Sequence, residues 1–239
     1  MKPLTLMLIA GDPSGDLAAA DLVRALRSEF SPWHPRFIGA GGPAMMAAGV
    51  VLRHELTRHS VIGLEILKRL ADFRRIYRDL LELADAELPD AIIGVDYSGF
   101  NLRLAAAVRA RVRTRSQVFH NWSPRLIQYI SPQVWASRAG RARQMEQTHD
   151  LLLSILPFEP AWFAQHAPRL PVVFVGHPLV DRRLARTSPL KSVNPPETRP
   201  LVILLPGSRA GELHRHLPVM VPAATTIVRE TGSEIRVVV

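Results

Sequence analysis

Residues 4–26 read LTLMLIAGDPSGDLAAADLVRAL. The apolar run Leu4 to Ala10 predicts a buried strand. Gly11-Asp12-Pro13-Ser14-Gly15-Asp16 predicts a tight turn, and Ala18, Leu22, Ala25 and Leu26 recur on one side of a following helix. Strand, glycine loop and helix form the opening unit of an open parallel sheet, which binds its ligands beyond the carboxyl ends of its strands. Glycine lets a backbone approach a ligand, and a helix start offers free N–H groups to an anion. Gly11, Ser14 and Gly15 do not spell a G-x-G-x-x-G fingerprint. A loop that only turns the chain explains them equally well at this point.

The pattern repeats outward from that unit. Arg36 to Gly42 reads as a strand ending in glycines, Pro43 to Gly49 as a brief helix, and Val50 to Leu52 as a short strand. From Ser60 to Leu88, Ile66, Leu70, Phe73, Tyr77, Leu80 and Ala84 make one helical stripe. Ala91 to Val95 is a second buried strand, and it ends at Asp96. A carboxylate there serves as a general base, a hydroxyl acceptor, or merely the cap of the next helix, Phe100 to Arg111. Strands at Leu126–Ser131, Asp150–Leu156 and Val172–Val175 alternate with helices at Arg138–Gln147 and Phe158–His166. The alternation predicts an α/β fold: a Rossmann-like parallel sheet with helices on both faces.

Residues 1–181 form this first domain. The stretch 182–200, with Pro189, Pro195, Pro196 and Pro200, reads as a linker. Residues 201–239 start a second Rossmann-like unit: a strand at Leu201–Leu205, the loop Pro206-Gly207-Ser208-Arg209, a helix between Leu217 and Glu230, and a strand from Glu234.

The chain has 239 residues, 47% of them hydrophobic, enough for a large core. It has no cysteine, so disulfides and thiolate metal sites are excluded. Met1-Lys2-Pro3 does not open a signal peptide, and no apolar run reaches the roughly 20 residues of a membrane span. The net charge of +9 points to an anionic partner. Between Tyr97 and Met145 stand nine Arg and no acid, which also fits an ordinary solvated basic face. The segment holding Val61, Ile62, Leu64, Ile66, Leu67, Lys68 and Arg69 is more apolar than a core stripe requires. With its basic flank it fits either core or a membrane-interface contact.

Eight blocks, in order along the chain, resemble the lipid-A-disaccharide synthase family. They are AGDPSGD (10–16), GAGGPAMMAAG (39–49), VIGLEILKRL (61–70), GVDYSGFNLRL (94–104), YISPQVWASRAGR (129–141), LPFEPAWF (156–163), FVGHPLVD (174–181) and LLPGSRAGEL (204–213). The resemblance implies a GT-B glycosyltransferase with two Rossmann-like domains. Its substrates would be UDP-2,3-diacylglucosamine and 2,3-diacylglucosamine 1-phosphate, its products the β-1,6-linked disaccharide phosphate and UDP, with no cofactor and no metal.

An inverting transfer needs a base for the acceptor hydroxyl, and Asp96 is the candidate; the resemblance further implies Arg209, beside Gly207 and Ser208, on the nucleotide diphosphate. Gly11, Ser14, Gly15 and Asp16 would line the acceptor side. Asn101, Ser131, Gln133, Trp135, Arg138, Glu159 and His177 match motif positions without separate roles. The enzyme would be cytoplasmic and peripheral on the inner face of the cytoplasmic membrane, touching its anionic surface but no nucleic acid. Its protein partner would be a second copy or a missing C-terminal half.

Gly99 stands where the family pattern has a second carboxylate, and Ser137 replaces a tryptophan. If that carboxylate is the base elsewhere in the family, Asp96 must substitute for it here or the mechanism differs. Residues 119–126 look inserted. The family's Gly-Thr-Ala-Thr-Leu-Glu-like motif is absent, so the sequence is expected to be a fragment with little activity alone. The alternative is a non-catalytic or partner-dependent half that binds acylated glucosamine phosphate or membrane.

Overall fold

The computed structural model describes residues 3–57, 66–115, 121–186, 201–207 and 210–238. Two compact units divide them, one reaching Ala185 and the other running from Arg186 onward.

The first unit carries β1 (Thr5–Ala10), α1 (Pro13–Glu29), β2 (Arg36–Gly41), α2 (Pro43–Ala47), β3 (Val51–Glu55), α3 (Ile66–Glu87), β4 (Ala91–Val95) and α4 (Ser98–Arg115). It continues with β5 (Arg125–Tyr129), α5 (Val134–Ser137), α6 (Gly140–Thr148), β6 (Leu151–Ser154), α7 (Glu159–His166), β7 (Val172–Phe174) and α8 (Pro178–Arg186). The strands form one parallel sheet in the order β3-β2-β1-β4-β5-β6-β7. This is the predicted α/β class.

Alternation along β1 explains the two-sided core. Met7 and Ile9 face a layer with Leu80 of α3 and Leu104 of α4, whereas Leu6 and Leu8 face Val23 of α1 and Met45 of α2. A third cluster, with Leu102, Met145, Leu152 and Phe163, extends the α4 face towards β6. Toward that end one face is left thinner. Leu126, Gln128, Leu152 and Ser154 are buried, but the intervening Ile127, Tyr129, Leu151 and Leu153 are only partly so.

Three expectations need correction. The buried face of α1 is Ala18, Ala19, Ala20 and Val23, with Leu22 and Leu26 packed at its edge; Ala25, expected on the same side, is exposed. Small alanines let the helix sit closer to the strands, and Leu22 and Ala25 turn to a cleft. Helix α8 starts with Pro178 and runs to Arg186, into the stretch read as linker. Pro178 fits that start because its missing N–H would have no helical partner there.

In the second unit, β8 (Leu201–Leu204), α9 (Ala210–Thr231) and β9 (Glu234–Val237) make a parallel two-stranded sheet with one helix. The third correction lies here, since α9 begins well before Leu217 and holds both Pro218 and Pro222. Each proline removes the N–H that the carbonyl four residues earlier would accept. Those carbonyls belong to His214 and Pro218, both exposed residues, so water can take the bond. Leu201, Ile203, Ile235 and Val237 remain exposed.

The basic stretch is in part structural. Arg109 donates to the Thr148 carbonyl and to Asp150 at 2.9 and 2.8 Å, and Arg111 is paired with Asp85. No helix among the described residues is long and apolar enough to cross a membrane.

Candidate active site at the β1–β4 edge

Strand β1 lies between β2 and β4, and the chain leaves it for α1 on the way to β2. The strand order therefore reverses at β1/β4, and crossovers diverging from such a point leave a crevice beyond the carboxyl ends. The Gly11–Asp16 loop and Asp96-Tyr97 both emerge there.

The α1 side is built by two aspartates. Asp12 caps the helix, its Oδ1 accepting the Gly15 N–H at 2.7 Å, and Pro13 follows in the first turn. Asp16 is 3% exposed and accepts N–H groups from Gly42, Ala44 and Met45, each at 2.9 Å. It thus ties the loop after β1 to the start of α2. Ser14 is exposed on the first turn. Gly15 is buried, and a Cβ there would come within 3.3 Å of the Val95 carbonyl. Gly11 makes room for an aromatic ring: a Cβ at this position would lie 2.2 Å from Tyr97 Cδ1. The Tyr97 ring continues into a stack on Phe100, 5.6 Å between centroids.

The β4 side is strained. Asp96 and Tyr97 have φ of 50° and 40°, left-handed values uncommon outside glycine. Asn101 is buried, and its Nδ2 donates to the Asp96 carbonyl at 3.0 Å. Gln128, buried in β5, donates to the same carbonyl from Nε2, also at 3.0 Å. The Asp96 N–H donates to the Tyr129 carbonyl at 2.8 Å.

Burial first, and the Asp12 carboxylate second, push the Asp96 carboxyl above the usual aspartate range, against a backbone N–H bond from Tyr97. A half-buried carboxyl with a raised pKa is suited to accept a proton from a bound hydroxyl. Gly99 has nothing within 4 Å of where a Cβ would stand.

The other motif residues lie beyond β5, β6 and β7. Glu159 is fully buried and accepts from Trp135 Nε1 at 3.2 Å and Ser154 Oγ at 2.7 Å. It holds the loops after β5 and β6 together. Ser131 Oγ is buried without a hydrogen-bond partner among the described residues, while Gln133 and Arg138 are exposed. His177 accepts the Leu179 N–H on Nδ1 at 3.2 Å, at the start of α8.

Ser208, Arg209, Val61, Ile62 and Leu64 lie outside the described residues. Gly207, in the second unit, has a φ of 108°. Ile66, Leu67, Lys68 and Arg69 open α3, and the structure describes only their backbone. Among the described residues no cluster of three or more His, Cys, Asp or Glu is placed to hold a metal ion.

Sequence motifs gave no role to Asp12 or Gln128. An Asp just before Pro at a helix start was the available signal for Asp12. A glutamine inside an apolar strand was the one for Gln128. The chain also forms a cleft of about 460 Å³ between α1 and α8. Leu22, Ala25, Tyr129 and Leu153 line it, and Arg182 Nε meets Asp21 at 2.6 Å on its wall.

The family model of lipid-A-disaccharide synthetases matches residues 6–239. The chain is 36% identical over 229 residues to lipid-A-disaccharide synthase 1 of Legionella pneumophila (strain Lens), covering 94% of this chain and 56% of that one. It is 37% identical over 246 residues to lipid-A-disaccharide synthase of Chromohalobacter salexigens, covering 99% and 58%. The chain thus spans a little over half the length of these curated relatives. A solved Listeria monocytogenes structure assigned to UDP-N-acetylglucosamine 2-epimerase shares the fold, with a TM-score of 0.57, 15% identity, all of this chain covered and 63% of that one.

Proposed function

Because the chain belongs to the lipid-A-disaccharide synthetase family, we propose that it is the acceptor-side part of a glycosyltransferase. The reaction moves 2,3-diacylglucosamine from its UDP derivative onto the 6-hydroxyl of 2,3-diacylglucosamine 1-phosphate. The hydroxyl oxygen attacks the anomeric carbon, its proton passes to the Asp96 carboxylate, and the bond to the diphosphate breaks with its electron pair leaving on UDP. The observation that carries this reading is the half-buried Asp96 at the β1–β4 edge, its pKa raised beside Asp12. Arg209 would carry positive charge to the departing diphosphate. The net charge of +9 fits a peripheral enzyme that collects anionic acylated substrates at the inner face of the cytoplasmic membrane.

A second reading is favoured by one feature. The two-stranded sheet of the second unit leaves Leu201, Ile203, Ile235 and Val237 exposed. Parallel strands ordinarily have both faces covered. On that reading the chain binds the acylated acceptor but transfers only when further polypeptide, a C-terminal half or a second copy, completes this unit.

The test is to titrate the purified chain with 2,3-diacylglucosamine 1-phosphate, then add the UDP donor and follow the disaccharide phosphate by mass spectrometry. Acceptor binding with little transfer is expected, and transfer should rise when the C-terminal half of a relative is supplied. A folded chain that binds neither substrate overturns the proposal. Full transfer by the chain alone overturns the second reading.

A further inference from the structure

Gln128 is a fully buried glutamine in the middle of a parallel sheet. Its Nε2 donates to the carbonyl oxygens of Asp96 at 3.0 Å and Ile130 at 3.3 Å. Asn101, near the start of α4, donates to the same Asp96 carbonyl at 3.0 Å, with longer contacts to the Ile9 and Val95 carbonyls at 3.3 and 3.5 Å. Two side-chain amides from different elements thus converge on one backbone oxygen. The residues they hold end β1, β4 and β5, which is the rim of the crevice.

Two of those residues are strained. Asp96 has a φ of 50° and Ile130 of 36°. For side chains with a Cβ this region costs about 1–2 kcal/mol per residue. Such strain persists only where surrounding groups over-determine the geometry. The orientation of both amides is fixed, because reversing either would set carbonyl oxygen against carbonyl oxygen.

Their outward ends are less well served. Asn101 Oδ1 and Gln128 Oε1 are buried with no hydrogen-bond partner among the described residues. A buried unpaired acceptor costs about 1–3 kcal/mol, which an apolar side chain of the same size would avoid. Gly94 makes room for both, since a Cβ there would meet Gln128 Oε1 at 2.7 Å and Asn101 Cβ at 2.8 Å. A core built for stability alone would place an aliphatic residue at position 128. The amide there gives up stability and holds a strained backbone at one aspartate.

We propose that Gln128, together with Asn101, is a positioning residue that fixes the Asp96 carboxyl in the crevice at the β1–β4 edge. As a claim about catalysis this rests on Asp96 being the base, the reading given above. The side chain facing Asp96 with a charge is Asp12 from α1, and Tyr97 is its neighbour along the chain. Released from its clamp, the Asp96 turn relaxes toward ordinary backbone angles and its carboxyl moves to water.

The test uses Gln128→Met in the full chain. Methionine keeps the length and bulk, but removes both the donor and the orphaned acceptor. Three quantities are read: the Asp96 carboxyl titration by carbon-13 NMR, assigned with Asp96→Asn; the thermal midpoint; and the affinity for 2,3-diacylglucosamine 1-phosphate. The expected result is an unchanged or higher midpoint, an Asp96 titration shifted down toward the ordinary range, and acceptor affinity weakened by about tenfold or more.

A folded Gln128→Met chain whose Asp96 titrates as in the unsubstituted protein overturns the proposal, whatever its midpoint. Should that variant not fold, the unsubstituted protein still decides, because an Asp96 titrating in the ordinary range overturns it. If the unsubstituted chain does not bind the acceptor, the functional reading fails while the titration still reports on positioning.

Discussion

Asp16 and Asp96 stand at the same edge of the same sheet, one on each side of β1, in opposite environments. Asp16 is sealed in and receives three backbone N–H groups at 2.9 Å, two of them from the first residues of α2. Those bonds commit its two oxygens to holding the loop. Asp96 is half-buried, and both its burial and the nearby Asp12 oppose ionisation. Its own backbone is strained and held by amides from α4 and β5. The difference separates a carboxylate that holds the loop from one left available to take a proton. The sequence places Asp96 as the base and Asp16 in the acceptor-side loop, without the contacts that separate them.

The largest effect should come from breaking the Asp16 side. Asp16→Ala leaves three N–H groups of the α2 start without their acceptor, two of the bonds wholly buried. Hydrogen bonds to a charged group contribute about 1.5–3 kcal/mol each but are not additive, so a loss of about 3–5 kcal/mol is expected. Urea unfolding measures it. A loss under about 1 kcal/mol would mean that the two aspartates do not differ in the way described.

A histidine beneath the Asp96 side sharpens the contrast through pH. His149 lines a small pocket together with Asn101 and Gln128. Burial lowers its pKa from 6.5 to about 4, with an opposing backbone bond from Met145. Since the folded value is the depressed one, the fold favours neutral imidazole. Stability is complete above pH 6.5 and is lost as pH falls to about 4. The loss amounts to roughly 3 kcal/mol, and it should vanish in His149→Gln.

Asp96 carries the opposite sign. Its folded pKa is raised, so protonation favours the fold, and the associated stability fades as pH rises through that value. Asp96→Asn should therefore raise stability at neutral pH, by less than about 1 kcal/mol because the site is partly open to solvent. The gain should disappear below the ordinary aspartate range, and the disaccharide formation seen when the C-terminal half of a relative is supplied should be lost. A destabilised Asp96→Asn at neutral pH would place Asp96 with Asp16 as a structural carboxylate.

Much of this arrangement was legible in the residues. Strand β4 runs over the predicted Ala91–Val95, and alternating apolar runs foretold a parallel sheet with two covered faces. Periodicity identifies an apolar helix face, but cannot choose between two of them. In α1 the core takes Ala18, Ala19, Ala20 and Val23 and only the edge of Leu22 and Leu26, while Ala25 is exposed. The Asp96 site was legible as a position, because a carboxylate ending a buried strand is visible in the sequence. Its support was not. Asp12, Asn101 and Gln128 act on Asp96 from α1, α4 and β5, and such convergence exists only after the strands are ordered. Asn101 was marked by its motif without a role, while Gln128 looked like one polar residue in a strand.

The smallest expected effect tests how far the Asp96 side depends on its missing neighbour. The family pattern places a carboxylate where this chain has Gly99. That position lies in the first turn of α4, exposed, and a Cβ there would have nothing within 4 Å. Aspartate is suited to a first turn because it faces the positive end of the helix, a gain of about 0.3–1 kcal/mol, and it replaces the poorest helix former but proline. Against this stands repulsion from Asp96, three residues earlier. Gly99→Asp should consequently change stability by about 0.5 kcal/mol or less in urea unfolding, while moving the Asp96 titration further upward. An unmoved titration would show that the two positions do not sense each other, and that the carboxylate lost at Gly99 had no part in setting the proton affinity of Asp96.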